Sequence, residues 1–372
     1  MKGIEIIKGL DWVLIVVALL LVAISLAMLF SSAPDNWVSS RFARQATALI
    51  ISLPLAGLVV RVPYHSFKRY AVGLYLLAIL GLVSVTLTGS VIRGTASRLE
   101  IAGFQIQPSE FMKISLIIML SWALSRYKRI DWRALAMSGL FAGIPIAFIL
   151  LEPDLGVAAL LLMSWVGLLF YAGISWLYLS VLSIAGVLGA VASWIWLLAD
   201  YQKDRLLVFI DPARDALGSG YNVMQSIVAL GSGGWLGRGI GHGPQSRLQF
   251  LPEQHTDFIF ASIGEELGLV GVLLVIALYA IMLWRILLIA KNTQDPFGQF
   301  LAVGSAIVLA ASFTVSAGMN MGMLPVTGIP LPLLSYGGSN LLSTFLLLAI
   351  VQSVRVHSKW VQPPPTEISH LI

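Results

Sequence analysis

FLPEQHTDFIFASIGEE, Phe250 to Glu266, is the stretch in which a polar loop runs directly into a long apolar segment. It carries Glu253, His255, Asp257, Glu265 and Glu266 at that junction. Thr256 and Asp257 are favourable N-cap residues, so a helix is predicted to begin here and to enter an apolar medium from Phe258 onward. A carboxylate at such a mouth is half hydrated and half in low dielectric, which makes its basicity tunable over several units. Counted along a helix from Asp257, positions i+4, i+7 and i+11 are Ala261, Gly264 and Gly268. That face is small and is predicted to line a groove beside the acid. The same residues allow a purely structural reading, in which Asp257 caps the helix and Glu265 and Glu266 pair with a neighbour.

The apolar medium is set by composition. Of 372 residues 58% are hydrophobic and only 11% charged, with a mean hydropathy of +0.89. A soluble domain of this size is not so poor in charge, so the chain is read as a polytopic membrane protein. Beside the segment 258–284, further spans are predicted at 12–30, 45–60, 70–88, 110–125, 134–151, 155–172, 176–198, 299–323 and 338–356. Each is near the ~20 residues that a bilayer requires. The first run is longer than the apolar core of a signal peptide and Pro34 follows closely, so it is read as a retained span. The expected fold is all-α: one membrane domain over 1–372 with ten transmembrane helices, a large extracytoplasmic loop at 199–257 and a short disordered tail at 362–372.

Charge sets the orientation. Arg61, Lys68, Arg69, the RYKRIDWR stretch from Arg126 to Arg133, Arg285, Lys291 and Arg355 all fall on one predicted side, which makes that side cytoplasmic. With ten spans both termini lie there. Thirteen of the eighteen acids fall on the opposite side or at its helix mouths, so a reactive acidic face is expected outside the cytoplasm. The net charge of +5 is thereby a mark of topology and gives no reason to expect nucleic acid. Trp37, Trp132, Trp176 and Trp360 sit near span ends as belt residues. There is no Cys, which excludes disulfides and thiolate metal sites, and the five His include no HExxH pair, which leaves little for a transition-metal site.

Other polar groups fall at membrane depth. Gln107-Pro108-Ser109-Glu110 opens the fourth span, and the i,i+3 spacing places Lys113 on the Glu110 face, where an ion pair is the structural expectation. Ser109 and Lys113 are four apart, which is not the SxxK spacing. Glu152-Pro153-Asp154-Leu155-Gly156 breaks the chain between two spans, either as a Pro turn with an Asx cap or as a second acid pair facing the cavity of Asp257. The large loop holds Arg205, Arg247, nine Gly between Gly218 and Gly243, and an amphipathic piece from Tyr221 to Leu230. Gly-rich backbone beside Arg can bind phosphate, although GxxxxGK[ST] is absent. Pro325 to Ser339, ending in SYGGS, is irregular backbone of the kind tolerated where it lines a protein cavity. Arg98 is a further anion contact or an ordinary surface residue.

Together QPSEFMK (107–113), EPDLG (152–156), YQKDRLLVFIDP (201–212), GSGGWLGRGI (231–240), QSRLQFLPEQHTDFIF (245–260), EELGLVG (265–271) and GIPLPLLSYGGS (328–339) resemble the SEDS family of shape, elongation, division and sporulation proteins, in the family's order. Within it the wording is most similar to the rod-shape branch. The first hundred residues carry little recognisable motif. The resemblance implies a ten-helix peptidoglycan glycosyltransferase of the bacterial inner membrane. Such an enzyme polymerises lipid II, an undecaprenyl-diphosphate-linked disaccharide-peptide, on the outer face during cell elongation. It implies a class B penicillin-binding protein transpeptidase, the elongation machinery and membrane lipids as partners. It makes Asp257 the catalytic residue and matches Glu110, Lys113, Glu152 and Asp154 to the family's polar positions.

The chemistry asks for a base at a sugar hydroxyl and for compensation of charge on a leaving diphosphate. Asp257 is expected to take the proton. Arg98, Lys113, Arg205, Arg247, or a divalent cation (Mg or Mn) held between acids, would meet the diphosphate. Glu253, His255 and Ser335 complete the expected substrate-binding set. A lipid II flippase and another integral-membrane glycan polymerase or ligase are the alternative readings.

Overall fold

The computed structural model describes residues 3–31, 41–88, 90–92, 95–101, 104–215, 218–248 and 250–358. The tail 362–372, Trp37 and Trp360 lie outside them. The helices in chain order are α1 (Gly3–Gly9), α2 (Trp12–Ser31), α3 (Arg41–Arg61), α4 (Tyr64–Thr88), α5 (Pro108–Leu124), α6 (Trp132–Leu151), α7 (Leu155–Tyr171), α8 (Trp176–Ala192), α9 (Asp200–Ile210), α10 (Ser219–Ser232), α11 (Pro244–Arg247), α12 (Ile259–Asn292), α13 (Pro296–Asn320) and α14 (Gly338–His357). Between α4 and α5 runs a short antiparallel meander, β1 (Ser90–Ile92), β2 (Thr95–Ile101) and β3 (Phe104–Ile106), which the apolar pattern did not predict.

All ten predicted spans fall on helices. Eight of these, α2, α3, α4, α6, α8 with its π-helical end, α12, α13 and α14, are long and apolar enough to cross a membrane. The shorter α7 is apolar as well, and α5 carries the Glu110–Lys113 face. The chain is an integral membrane protein. Some edges differ from expectation: α4 begins at Tyr64, and α12 continues to Asn292.

Local chemistry sets the helix starts. Asp131, Asp154 and Asp295 cap α6, α7 and α13 by accepting from Ala134, Val157 and Gly298 amides. Pro108 and Pro296 occupy first-turn positions, where a missing N–H costs nothing. Packing then sorts the helices. α13 and α14 are the most enclosed spans, and α8 buries no residue.

At one end of the bundle Asp11 is wholly buried. Arg285 Nη2 and Arg355 Nη1 approach its Oδ2 at 2.5 and 2.8 Å, and Gln352 exchanges two hydrogen bonds with its backbone. This ties the start of α2 to the ends of α12 and α14. The acid turn lies at the other end.

The large loop is mostly helical, containing α9, α10 and α11, with α10 covering the predicted amphipathic piece. Its Gly-rich part is built into α12. Gly268 breaks that helix with φ 66° and ψ −164°, a region open essentially to Gly. The amides of Leu269 and Val270 then bond the carbonyls of Gly234 and Trp235. The carbonyls of Glu265 and Glu266 accept from Arg238 and Gly239 amides. A helix broken at membrane depth is thus satisfied by a neighbouring strand of loop.

Candidate active site

Asp257 stands on a turn rather than in the helix. α12 begins at Ile259 with Phe258 in the N-cap position, and Phe258 offers no side-chain bond. The expectation that Thr256 or Asp257 starts the helix is therefore corrected: both are spent on the turn that precedes it. Glu253, at φ 56°, closes that turn. Its carbonyl accepts from the amides of Thr256 and Phe258 at 3.0 and 3.2 Å, and its carboxylate from the Thr256 hydroxyl at 2.9 Å. The half-buried Asp257 carboxylate lies over the backbone of Gly328, where a Cβ would stand 3.8 Å from Asp257 Oδ2. Gly328 itself has φ 71°, so backbone conformation favours Gly there, while the space would admit a Cβ.

His255 and Ser335 lock the turn to the irregular segment before α14. Tyr336 donates its amide to the His255 carbonyl at 2.7 Å. The Ser335 hydroxyl donates to the Thr256 carbonyl and accepts from the Leu331 amide. Ser335 is fully buried, and those backbone bonds give it a positioning part. Burial and, after it, the Arg41 charge lower the His255 pKa, Glu253 opposes them, and the net value is about 4. The ring is neutral at pH 7.

Beside this turn a second polar group gathers. Lys113 Nζ lies 2.8 Å from each Glu110 carboxylate oxygen, and the Ser343 hydroxyl on α14 donates to Glu110 at 2.8 Å. The predicted ion pair is present and buried. Asp154 caps α7 and also feels Glu110, Lys113 and Arg205. Burial raises its pKa, the Val157 amide lowers it, the Glu110 charge raises it, and Lys113 and Arg205 pull it down. Glu152 is buried, with Oε1 lacking a hydrogen-bond partner. Burial and then the Asp154 charge raise its pKa to about 8. α9 lies over this turn through Gln202, whose amide donates to the Pro153 carbonyl, and Arg205 follows one helical turn later.

The two groups adjoin. Gly156 packs so closely on the backbone at Thr327 that a Cβ would stand 2.5 Å from the Thr327 carbonyl oxygen. Thr327 is next to the Gly328 that faces Asp257. Glu110, Lys113, Glu152, Asp154, Arg205, Glu253, His255, Ser335 and Asp257 therefore occupy one end of the bundle. Arg98 lies on β2, paired with Ser90, and Arg247 ends α11; the side chains of both lie outside the described residues. Among the described residues no group of three or more His, Cys, Asp or Glu is placed to hold a metal.

Packing overturns one expectation and narrows a second. The small face of Ala261, Gly264 and Gly268 lines no groove, because Leu230 of α10 and the Gly233–Gly237 backbone fill it. Of the Gly-rich amides that could meet phosphate, those of Gly237, Gly239 and Gly241 are engaged within the chain. Gly241 and Gln245 amides bond the Glu266 and Glu265 carboxylates at 3.0 and 2.7 Å, while Arg238 and Gly239 bond carbonyls of the same pair.

Sequence reasoning missed Asn320, the last residue of α13. It is fully buried, and its amide nitrogen donates to the carbonyls of Asp257 and Ser316 at 2.8 and 2.7 Å. Its Oδ1 accepts from the Ala261 amide at 2.9 Å. The signal was available: an Asn at the end of an apolar span must find partners inside the protein.

Among the described residues, eight helices long and apolar enough to cross a membrane, with the shorter apolar α7, enclose a compact polar cluster at one end and define a polytopic integral membrane protein. The FtsW/RodA/SpoVE model, described as cell cycle protein, matches residues 10–360, and the chain belongs to this family, the SEDS proteins. The match includes the first hundred residues, whose helices carry little local motif. Among its relatives is the peptidoglycan glycosyltransferase MrdB of Escherichia coli K12, 37% identical over 344 residues that cover 90% of this chain and 92% of that one. The fold is similar to a chain of a peptidoglycan synthase complex solved for the structural coordination of polymerization and crosslinking. That likeness has a TM-score of 0.82 and 31% identity, over 93% of this chain and 97% of the other. It is also similar to the crystal structure of the rod shape determining protein RodA of Thermus thermophilus, with a TM-score of 0.70 and 28% identity, over 93% and 96% of the two chains.

Proposed function

We propose that this protein is a peptidoglycan glycosyltransferase that polymerises lipid II during cell elongation, at the extracytoplasmic face of the bacterial inner membrane. Family membership and the relatives' activity support the reaction class. The observation that carries the site is the position of Asp257, a half-buried acid fixed by backbone bonds next to the Glu110–Lys113–Asp154 cluster. The segregation of basic loops from these acids supports an outward site and cytoplasmic termini.

In the proposed step Asp257 accepts the proton of the acceptor sugar's 4-hydroxyl. The oxygen attacks the anomeric carbon of the lipid-linked donor, forming the glycosidic C–O bond. The C–O bond to the diphosphate breaks, and the diphosphate leaves with the electron pair. One displacement inverts the anomeric centre and needs one carboxylate as base. Lys113 and Arg205 are cations whose charge acts on Asp154, and they would offset charge growing on the leaving group. Lys113 shares its charge with Glu110, so the diphosphate would compete with that carboxylate for it. If a divalent cation takes part, Glu110 and Asp154 are the carboxylates available to it.

The partner in this reading is a class B penicillin-binding protein that cross-links the strand as it emerges. The test supplies purified protein and that transpeptidase with labelled lipid II. Glycan strands from wild type and none from Asp257→Asn at equal folded yield support the reading. Lipid movement between leaflets without strand formation would replace it with a flippase.

A further inference from the structure

An acid that works as a base must be held still, and a turn is a poor place to hold it. The turn at Asp257 has no helix of its own to fix it, and the helix after it begins at Phe258, which cannot cap. The first-turn amide that an N-cap side chain usually accepts from belongs here to Ala261, in the third helical position. Asn320 takes it. The same side chain reaches in the opposite direction with its Nδ2 to the carbonyl of Asp257 itself, and back to Ser316 on its own helix. All three polar capacities that matter are used with good geometry, and the residue is wholly enclosed. One further bond arrives from the large loop: the Ser226 hydroxyl on α10 donates to the Asn320 backbone carbonyl at 2.7 Å.

We infer that Asn320 is a positioning residue for the polymerase reaction, fixing the Asp257 backbone to the end of α13 while capping α12 in place of a local residue. This rests on Asp257 being the base. The two tasks are separable because they use different atoms. Capping needs the acceptor Oδ1; holding Asp257 needs the donor Nδ2. Helix capping alone would make Asn320 structural. The donor bond to the residue that bears the reactive carboxylate makes it part of the site's alignment. A shift of about 1 Å in a reacting group is enough to lower a rate by about a hundredfold.

Asn320→Asp separates the two tasks. It keeps an acceptor for the Ala261 amide, and a negative charge suits a helix N-terminus, but it cannot donate to Asp257. The expected result is a kcat lower by about 10- to 100-fold per folded molecule, with KM within about a factor of two and the folded yield retained. Asn320→Ala removes both functions without placing a charge beside two carbonyls, and it keeps the test decisive if the Asp variant does not fold. Its kcat should fall equally. Ser226→Ala touches only the backbone end of Asn320 and should leave kcat near wild type. A kcat per folded molecule equal to that of wild type in both the Asp and Ala variants, or a loss confined to KM, overturns the inference. Asp257→Asn run alongside distinguishes the two failures. If it still makes strands, the assignment of the base falls; if it is dead while the Asn320 variants are fully active, only the positioning role falls.

Discussion

Two acids at one end of the bundle are expected to behave oppositely. Asp257 is half-buried on a hydrogen-bonded turn, and in its proposed role of general base it would account for a ~10²–10⁴-fold effect. Asp257→Asn should lower strand synthesis by that factor with little change in folded yield. Glu152 is buried with an oxygen that finds no partner, and its pKa is raised to about 8 by burial and by Asp154. A carboxyl raised in the folded state contributes stability that is complete below its unfolded pKa and is lost as pH rises through the folded value. The unfolding temperature of the wild type in detergent should therefore decline between about pH 4.5 and 8. Glu152→Gln should flatten that decline, and an unchanged slope would show that Glu152 does not carry it.

At the scale of elements, α12 is the informative case. Its sequence reads as one continuous helix, yet Gly268 breaks it and the loop backbone from Gly233 to Gly239 enters the gap. A Cβ on Gly268 would lie 2.3 Å from the Gly237 nitrogen and 2.6 Å from the Trp235 carbonyl oxygen. Its backbone conformation alone costs an L-residue about 1–3 kcal/mol. Gly268→Ala should lower the unfolding temperature and loosen the 233–239 segment, read as faster amide exchange at Arg238 and Gly239. The periodicity of α12 was legible and the break was not, because a Gly in an apolar helix reads equally well as a packing residue. Glu265 and Glu266 are explained at this scale too: they hold the Gly-rich loop in place through its amides.

Across the whole molecule, the Asp257 end and the Asp11 end are separate problems. α2 alone separates them by about 30 Å at 1.5 Å per residue. The buried Asp11 carboxylate pairs with both Arg285 and Arg355. Breaking such a pair by removing one partner costs ~3–5 kcal/mol, since charge is left without compensation. Asp11→Ala should therefore lower thermal stability sharply while strand synthesis per folded molecule stays near wild type. Loss of activity at full stability would instead connect the two ends.

Hydropathy and length placed all ten expected segments on helices, eight of them long and apolar enough to cross a membrane, because a bilayer imposes its thickness on each segment separately and residue by residue. The same local reading found the Glu110–Lys113 pair, the Asp154 cap and the acid at 257, since helical spacing and capping chemistry depend on near neighbours. Tertiary structure alone decided that α10 fills the small face beside the acid, that the Gly-rich amides serve Glu265 and Glu266, and that Asn320 caps α12 across 59 residues. A polar group withdrawn from water must find a partner, but the sequence does not say on which helix that partner stands. Only the packing of the helices makes that choice.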